Sequence, residues 1–110
     1  MQHDVEKYLA DVLGAARDIQ SFVGAKSFEE YHADKLTKAA VERKFEIIGE
    51  ALNRLAKLAP ETARQVREFD KIIAFRNVVI HGYDVVSDPI VWDVITNRLS
   101  ILIEDVEKLQ

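Results

Sequence analysis

Residues 77–86 read NVVIHGYDVV, and the fold class turns on them. Val78, Val79, Ile80, Val85 and Val86 are β-branched, which taken alone suits a strand and a turn. A strand needs a partner, and the rest of the chain offers none. Its apolar residues recur at steps of three and four almost throughout, the period of a helix. The spacing therefore predicts a helix over 69–81, with Ile72, Ile73, Phe75, Val79 and Ile80 turned inward. Gly82 fits the position just past its end, where a left-handed backbone is favoured.

The same period organises the chain on either side. Val5, Leu9, Val12, Ala16, Ile19 and Val23 make one stripe of a first helix over about 3–23, with Gly24 as its stop. Ser27 stands three residues before Glu30, the spacing of a capping box, so a short helix starts there. A second long helix over about 35–58 buries Val41, Phe45, Ile48, Leu52 and Leu55. Ile47, Ala51 and Leu58 widen its apolar arc toward more than one neighbour. Arg43, Glu46, Glu50, Asn53 and Lys57 form its opposite face, read as solvated and ion-paired. Pro60 ends the pattern and suits the first turn of a short connecting helix. Asp88 as N-cap and Pro89 as first residue open a last helix over about 89–108, carrying Val91, Val94, Ile95, Leu102, Val106 and Leu109. Four main helices with short connections predict an all-α fold, an up-and-down antiparallel four-helix bundle with short additional helices. It forms one domain over 1–110.

Composition narrows the function classes. The 110 residues are 48% apolar, enough for a core. There is no cysteine, which excludes disulfides, thiolate metal sites and cysteine nucleophiles. No apolar run approaches the roughly 20 residues of a membrane span. The opening MQHDVEKYLADV is charged and already helically patterned, unlike a signal peptide. A soluble cytoplasmic protein with no membrane partner is expected. The net charge of −4 hides an uneven distribution. From Lys35 to Arg76 ten basic residues face six acidic ones, so a basic middle of +4 lies between flanks that total −8. Such a middle steers anions to one face, although charge also clusters on ordinary solvated helices.

Arg76, Asn77, His81 and Tyr83 crowd polar groups around the apolar end of the helix over 69–81. Inside a continuous helix Arg76 and His81 diverge by about 140°; at a helix end the histidine is free to swing back. Arginine grips phosphate with a planar, bidentate fork. Histidine moves protons near neutral pH. Together they suit RNA cleavage by the ribose 2′-hydroxyl, which needs a base, a cation and an acid but no metal or other cofactor. His3 and His32 make no ligand spacing with His81 or with nearby acids, so no metal site is expected. One histidine is too few for an acid–base pair, and a twofold homodimer supplies the second. The plainer roles are a histidine that complements a helix C-terminus and an arginine that snorkels or pairs with an acid.

Arg76-x-x-x-x-His81-x-Tyr83 matches the R-x4-H-x-Y motif of the HepT-like toxins of the HEPN superfamily. VERKFEIIGEALNRLA (Val41 to Ala56) resembles that family's second-helix signature, and FDKIIAFRNVVIHGYDVV (Phe69 to Val86) its motif helix and loop. VWDVI (Val91 to Ile95) resembles the start of its last helix. The similarity covers nearly the whole chain, most strongly 41–95. It implies a HEPN-like bundle that dimerises and acts as a metal-independent endoribonuclease, with Arg76 and His81 catalytic across the dimer cleft and Asn77 assisting. It also implies a toxin–antitoxin pair, in which an MntA-like nucleotidyltransferase transfers AMP to Tyr83 and blocks an RNA substrate such as tRNA or mRNA. The same family contains noncatalytic modules, so a nucleotide-binding or partner subunit of a minimal nucleotidyltransferase is the alternative.

Overall fold

The computed structural model describes the backbone of residues 2–81 and 87–110 and the side chains of residues 3–76 and 87–110. The expected helix stop at Gly82, the loop position of Tyr83 and the packing of Val79 and Ile80 lie outside the described residues. Within them every regular element is helical: α1 (Gln2–Val23), α2 (Phe28–Ala33), α3 (Lys35–Leu58), α4 (Pro60–Ala63), α5 (Phe69–His81), α6 (Asp88–Asp93), a π turn (Val94–Arg98) and α7 (Leu99–Leu109). The β-branched run does not break α5, which continues to His81. Strand propensity is a weak prior that the fold around it readily overrides.

Local chemistry sets the boundaries. Gly24 closes α1 with φ +52°, and its N–H donates to the Gln20 carbonyl at 2.8 Å. At the start of α2 the Glu30 N–H donates to Ser27 Oγ at 3.2 Å, and the Ser27 N–H to Glu30 Oε1 at 2.9 Å. Asp34 caps α3 by accepting the Thr37 N–H at 3.0 Å. Pro60 stands in the first turn of α4.

α3 is the central element. It packs on α1, α5, α4 and α2, as its wide apolar arc requires. Val41, Phe45, Ile48, Leu52 and Leu55 are fully buried in it, facing Leu9, Val12, Ala16 and Ile19 of α1 and Ile72 and Phe75 of α5 within one core. α7 closes the bundle against α1 with Leu99, Leu102 and Val106. α2 lays Tyr31 beneath Trp92, with ring centroids 5.3 Å apart.

The last helix differs from expectation at two places. Its cap is Ser87 rather than Asp88, and Ser87 makes no side-chain capping bond. The Asp88 carboxylate is engaged instead by Lys38 Nζ at 3.0 Å and His32 Nδ1 at 2.6 Å, partners from two other helices. The helix then widens into the π turn, where the Leu99 N–H donates to the Val94 carbonyl. Thr96 Oγ1 donates to the Trp92 carbonyl at 2.8 Å in this widened segment. The extra residue brings Leu99 into the core between Ile95 and Leu102.

Asp105 of α7 is charged yet only 6% exposed. It accepts the Arg67 backbone N–H at 2.9 Å and Arg67 Nη2 at 2.9 Å, fastening the segment between α4 and α5 to α7. The Arg67 guanidinium holds the Asp105 carboxyl below the usual carboxylate range, and burial opposes it only in part. The unfolded chain titrates this group near about pH 3.9. Its stabilising contribution is therefore complete above that pH and is lost as pH falls through the lower folded value. Thermal unfolding should show wild type more stable than Asp105→Ala at pH 7, with the gap narrowing below about pH 4. A gap that widened on acidification would contradict this assignment.

Candidate active site around Arg76

α5 carries three of the four motif residues. Arg76 lies in its second half, Asn77 follows, and His81 is its last residue. The five-residue step separates Arg76 and His81 by about 7.5 Å along the axis. The described part of the helix reaches His81. The side chains of Asn77 and His81, and Tyr83 entirely, lie outside the described residues. The structure therefore describes one member of the cluster, Arg76, in atomic detail.

The stem of Arg76 lies directly on Gly49 of α3. A Cβ built on Gly49 would fall onto Arg76 Cγ, 2.5 Å from its Cβ and 2.8 Å from its Cδ. One residue earlier, Phe75 meets Phe45 edge to face, with centroids 4.9 Å apart. Close approach of α3 and α5 thus fixes the level of Arg76. Its Nε is buried and has no hydrogen-bond partner among the described residues.

The other six arginines of the chain all form ion pairs. Arg17 pairs with Glu107, Arg43 with Glu46, Arg54 with Glu50, Arg64 with Glu61, Arg67 with Asp105 and Arg98 with Glu68. Arg76 has no such pair among the described residues. A guanidinium with a packed stem and no carboxylate to neutralise it is suited to take an anion, above all a phosphate oxygen pair. The plainer expectation, an arginine paired with an acid, is not met among these residues.

A second polar group lies where α2, α3 and α6 meet. Burial works to raise the Asp88 carboxyl, but hydrogen bonds from Lys38 and His32 outweigh it and hold the group below its usual range. Burial, with Asp88 nearby, pushes the half-buried Glu42 carboxyl up. Burial, with Asp88 and Glu42, pushes the Tyr31 phenol up, and its buried hydroxyl has no hydrogen-bond partner among the described residues. Asp88 fastens the chain where it resumes after the motif segment. Among the described residues no group of three or more His, Cys, Asp or Glu is arranged to hold a metal ion. No described helix is long and apolar enough to cross a membrane.

The sequence reading missed Gly49 as part of this site. Its signal was available: a glycine in the middle of a long helix costs stability and needs a packing reason.

An all-α bundle of the HEPN-like kind, with an arginine on its motif helix that has no ion pair among the described residues, defines the class. The chain belongs to the ribonuclease HepT-like family, whose model matches residues 12–109. It is 32% identical over 106 residues to "Putative RNase MJ0127" of Methanocaldococcus jannaschii, covering 96% of this chain and 87% of that one. It is 31% identical over 114 residues to "Probable ribonuclease HepT" of Thermococcus cleftensis, covering 100% of this chain and 99% of that one. A Caldanaerobacter subterraneus protein, "Putative RNase TTE0752", is 30% identical over 102 residues, with 93% and 90% covered. No solved structure matches the chain.

Proposed function

We propose that this protein is the toxin of a toxin–antitoxin pair, a cytoplasmic, metal-independent endoribonuclease. The carrying observation is Arg76, the arginine with a packed stem and no ion pair among the described residues. Family membership and the ribonuclease names of its relatives support the same reaction class. In a homodimer, the twofold axis brings Arg76 and His81 of both copies to one cleft. One His81 takes the proton of the ribose 2′-hydroxyl, whose oxygen attacks the adjacent phosphorus. The bond from phosphorus to the 5′-oxygen breaks, and the second His81, protonated, gives that oxygen its proton. The products are a 2′,3′-cyclic phosphate and a free 5′-hydroxyl. Arg76 stabilises the charge on the pentacoordinate phosphate, and Asn77 assists.

Tyr83 is the switch in this reading. An MntA-like nucleotidyltransferase joins its phenolic oxygen to the α-phosphorus of ATP and releases pyrophosphate. The AMP so attached places bulk and negative charge beside a cleft that must admit an anionic backbone.

The test is a gel assay on total tRNA in EDTA, with wild type beside His81→Ala, using protein whose intact mass shows no AMP. Cleavage by wild type alone is expected. No cleavage by unmodified wild type, or equal cleavage by both, would overturn the proposal.

A further inference from the structure

We infer that Gly49 is the positioning residue for Arg76: the notch it leaves in α3 is the seat that fixes the arginine stem. This rests on the reading of Arg76 as the group that holds phosphate.

α3 contains one glycine in its 24 residues. Its backbone does not require one there, because Gly24 is the described glycine with positive φ and Gly49 is not. A helical glycine without a conformational reason is a cost relative to alanine. What requires it is space. The nearest atoms to a Cβ at Gly49 are three consecutive carbons of a single side chain, Arg76 Cβ, Cγ and Cδ. Two of them move with side-chain rotation. The Cβ is fixed to the α5 backbone, so no rotamer change relieves the contact. Any residue larger than glycine forces α5 away from α3 and lifts Arg76 with it. Gly14 of α1 is the internal contrast: it is exposed, and a Cβ there meets nothing within 4 Å.

The seat also explains why Nε is buried. With the stem pressed into the notch, that side of the guanidinium is closed against α3. The acids on α3 next to the notch, Glu50 and Glu46, are held by Arg54 and Arg43. Gly49 therefore does for Arg76 what a supporting hydrogen bond does for many catalytic groups: it restricts where the charge can point.

The experiment compares Gly49→Ala with wild type and with Gly14→Ala in the full chain. Single-turnover cleavage of an RNA oligonucleotide gives one readout. The Arg76 Nε–H resonance, identified by its loss in Arg76→Lys, gives another through its exchange with water. Gly49→Ala should lower the cleavage rate by about 10²-fold, the scale of an ångström of misplacement, and should speed exchange at Nε. Gly14→Ala should match wild type in both. Either readout left at its wild-type value in Gly49→Ala overturns the inference. If Gly49→Ala does not fold, Gly49→Ala with Arg76→Gly removes all three contacted carbons. Recovery of folding supports the seat, and failure to recover overturns it. If wild type cleaves no RNA, the proposed function falls, and exchange at Nε alone decides whether Gly49 seats Arg76.

Discussion

Replacing Arg76 with alanine should reduce RNA cleavage by about 10²–10³-fold, the loss typical for one preorganised donor to a developing oxyanion. The effect on folding should be much smaller. The guanidinium makes no ion pair among the described residues, so no described carboxylate loses a partner when it goes. What the fold loses is the stem on Gly49. Two methylenes there contribute about 0.8 kcal/mol each when fully buried, which limits the cost to about 1–2 kcal/mol. Arg76→Lys keeps the charge and most of the stem but not the planar fork. It should retain more stability than activity. Cleavage rates and urea unfolding on the same preparations separate the two effects. An Arg76→Ala protein that cleaved at the wild-type rate would remove Arg76 from the mechanism.

Phe45→Ala should destabilise the bundle by about 3–5 kcal/mol, the range for a large aromatic lost from a packed core. Phe45 is fully buried in α3 and meets Phe75 edge to face at 4.9 Å. It stands one turn before Gly49 and faces the residue next to Arg76. The ring thus fills the seam that sets the α3–α5 distance. In a domain of this size that loss lowers the melting temperature by roughly 15 °C or more. A change below about 1 kcal/mol in chemical denaturation would mean that the seam repacks around the gap.

Much of the architecture was legible because punctuation and period agree. Pro60 and the Ser27–Glu30 pair mark the starts of α4 and α2, and a three-four spacing runs along α3 between them. NVVIH is helical to His81 in α5, and in the sequence Val79 continues the three-four spacing of Ile72 and Phe75. What was not legible depends on residues far apart in the chain. Asp105 reads as an ordinary polar position until Arg67, 38 residues away, folds against it. Asp88 reads as a cap until Lys38 and His32 arrive from α3 and α2. The π turn perturbs the period over five residues, too few for a pattern to register. At the candidate site, the type of Arg76 and its neighbours in the sequence singled it out. Its lack of an ion pair among the described residues and its seat on Gly49 depend on which helix faces meet.

The helix that bears the candidate site is held mainly from one side. Among the described residues α5 has one principal neighbour, α3, whereas α3 itself also packs on α1, α2 and α4. Among the described residues that seam is the main hold on α5, and a segment held in this way opens locally at less than the cost of global unfolding. How long the site stays assembled follows from that seam and not from the stability of the whole bundle. A ligand that binds only the closed form lengthens that lifetime by mass action. Occupancy of the site and order in α5 are then one equilibrium observed at two places.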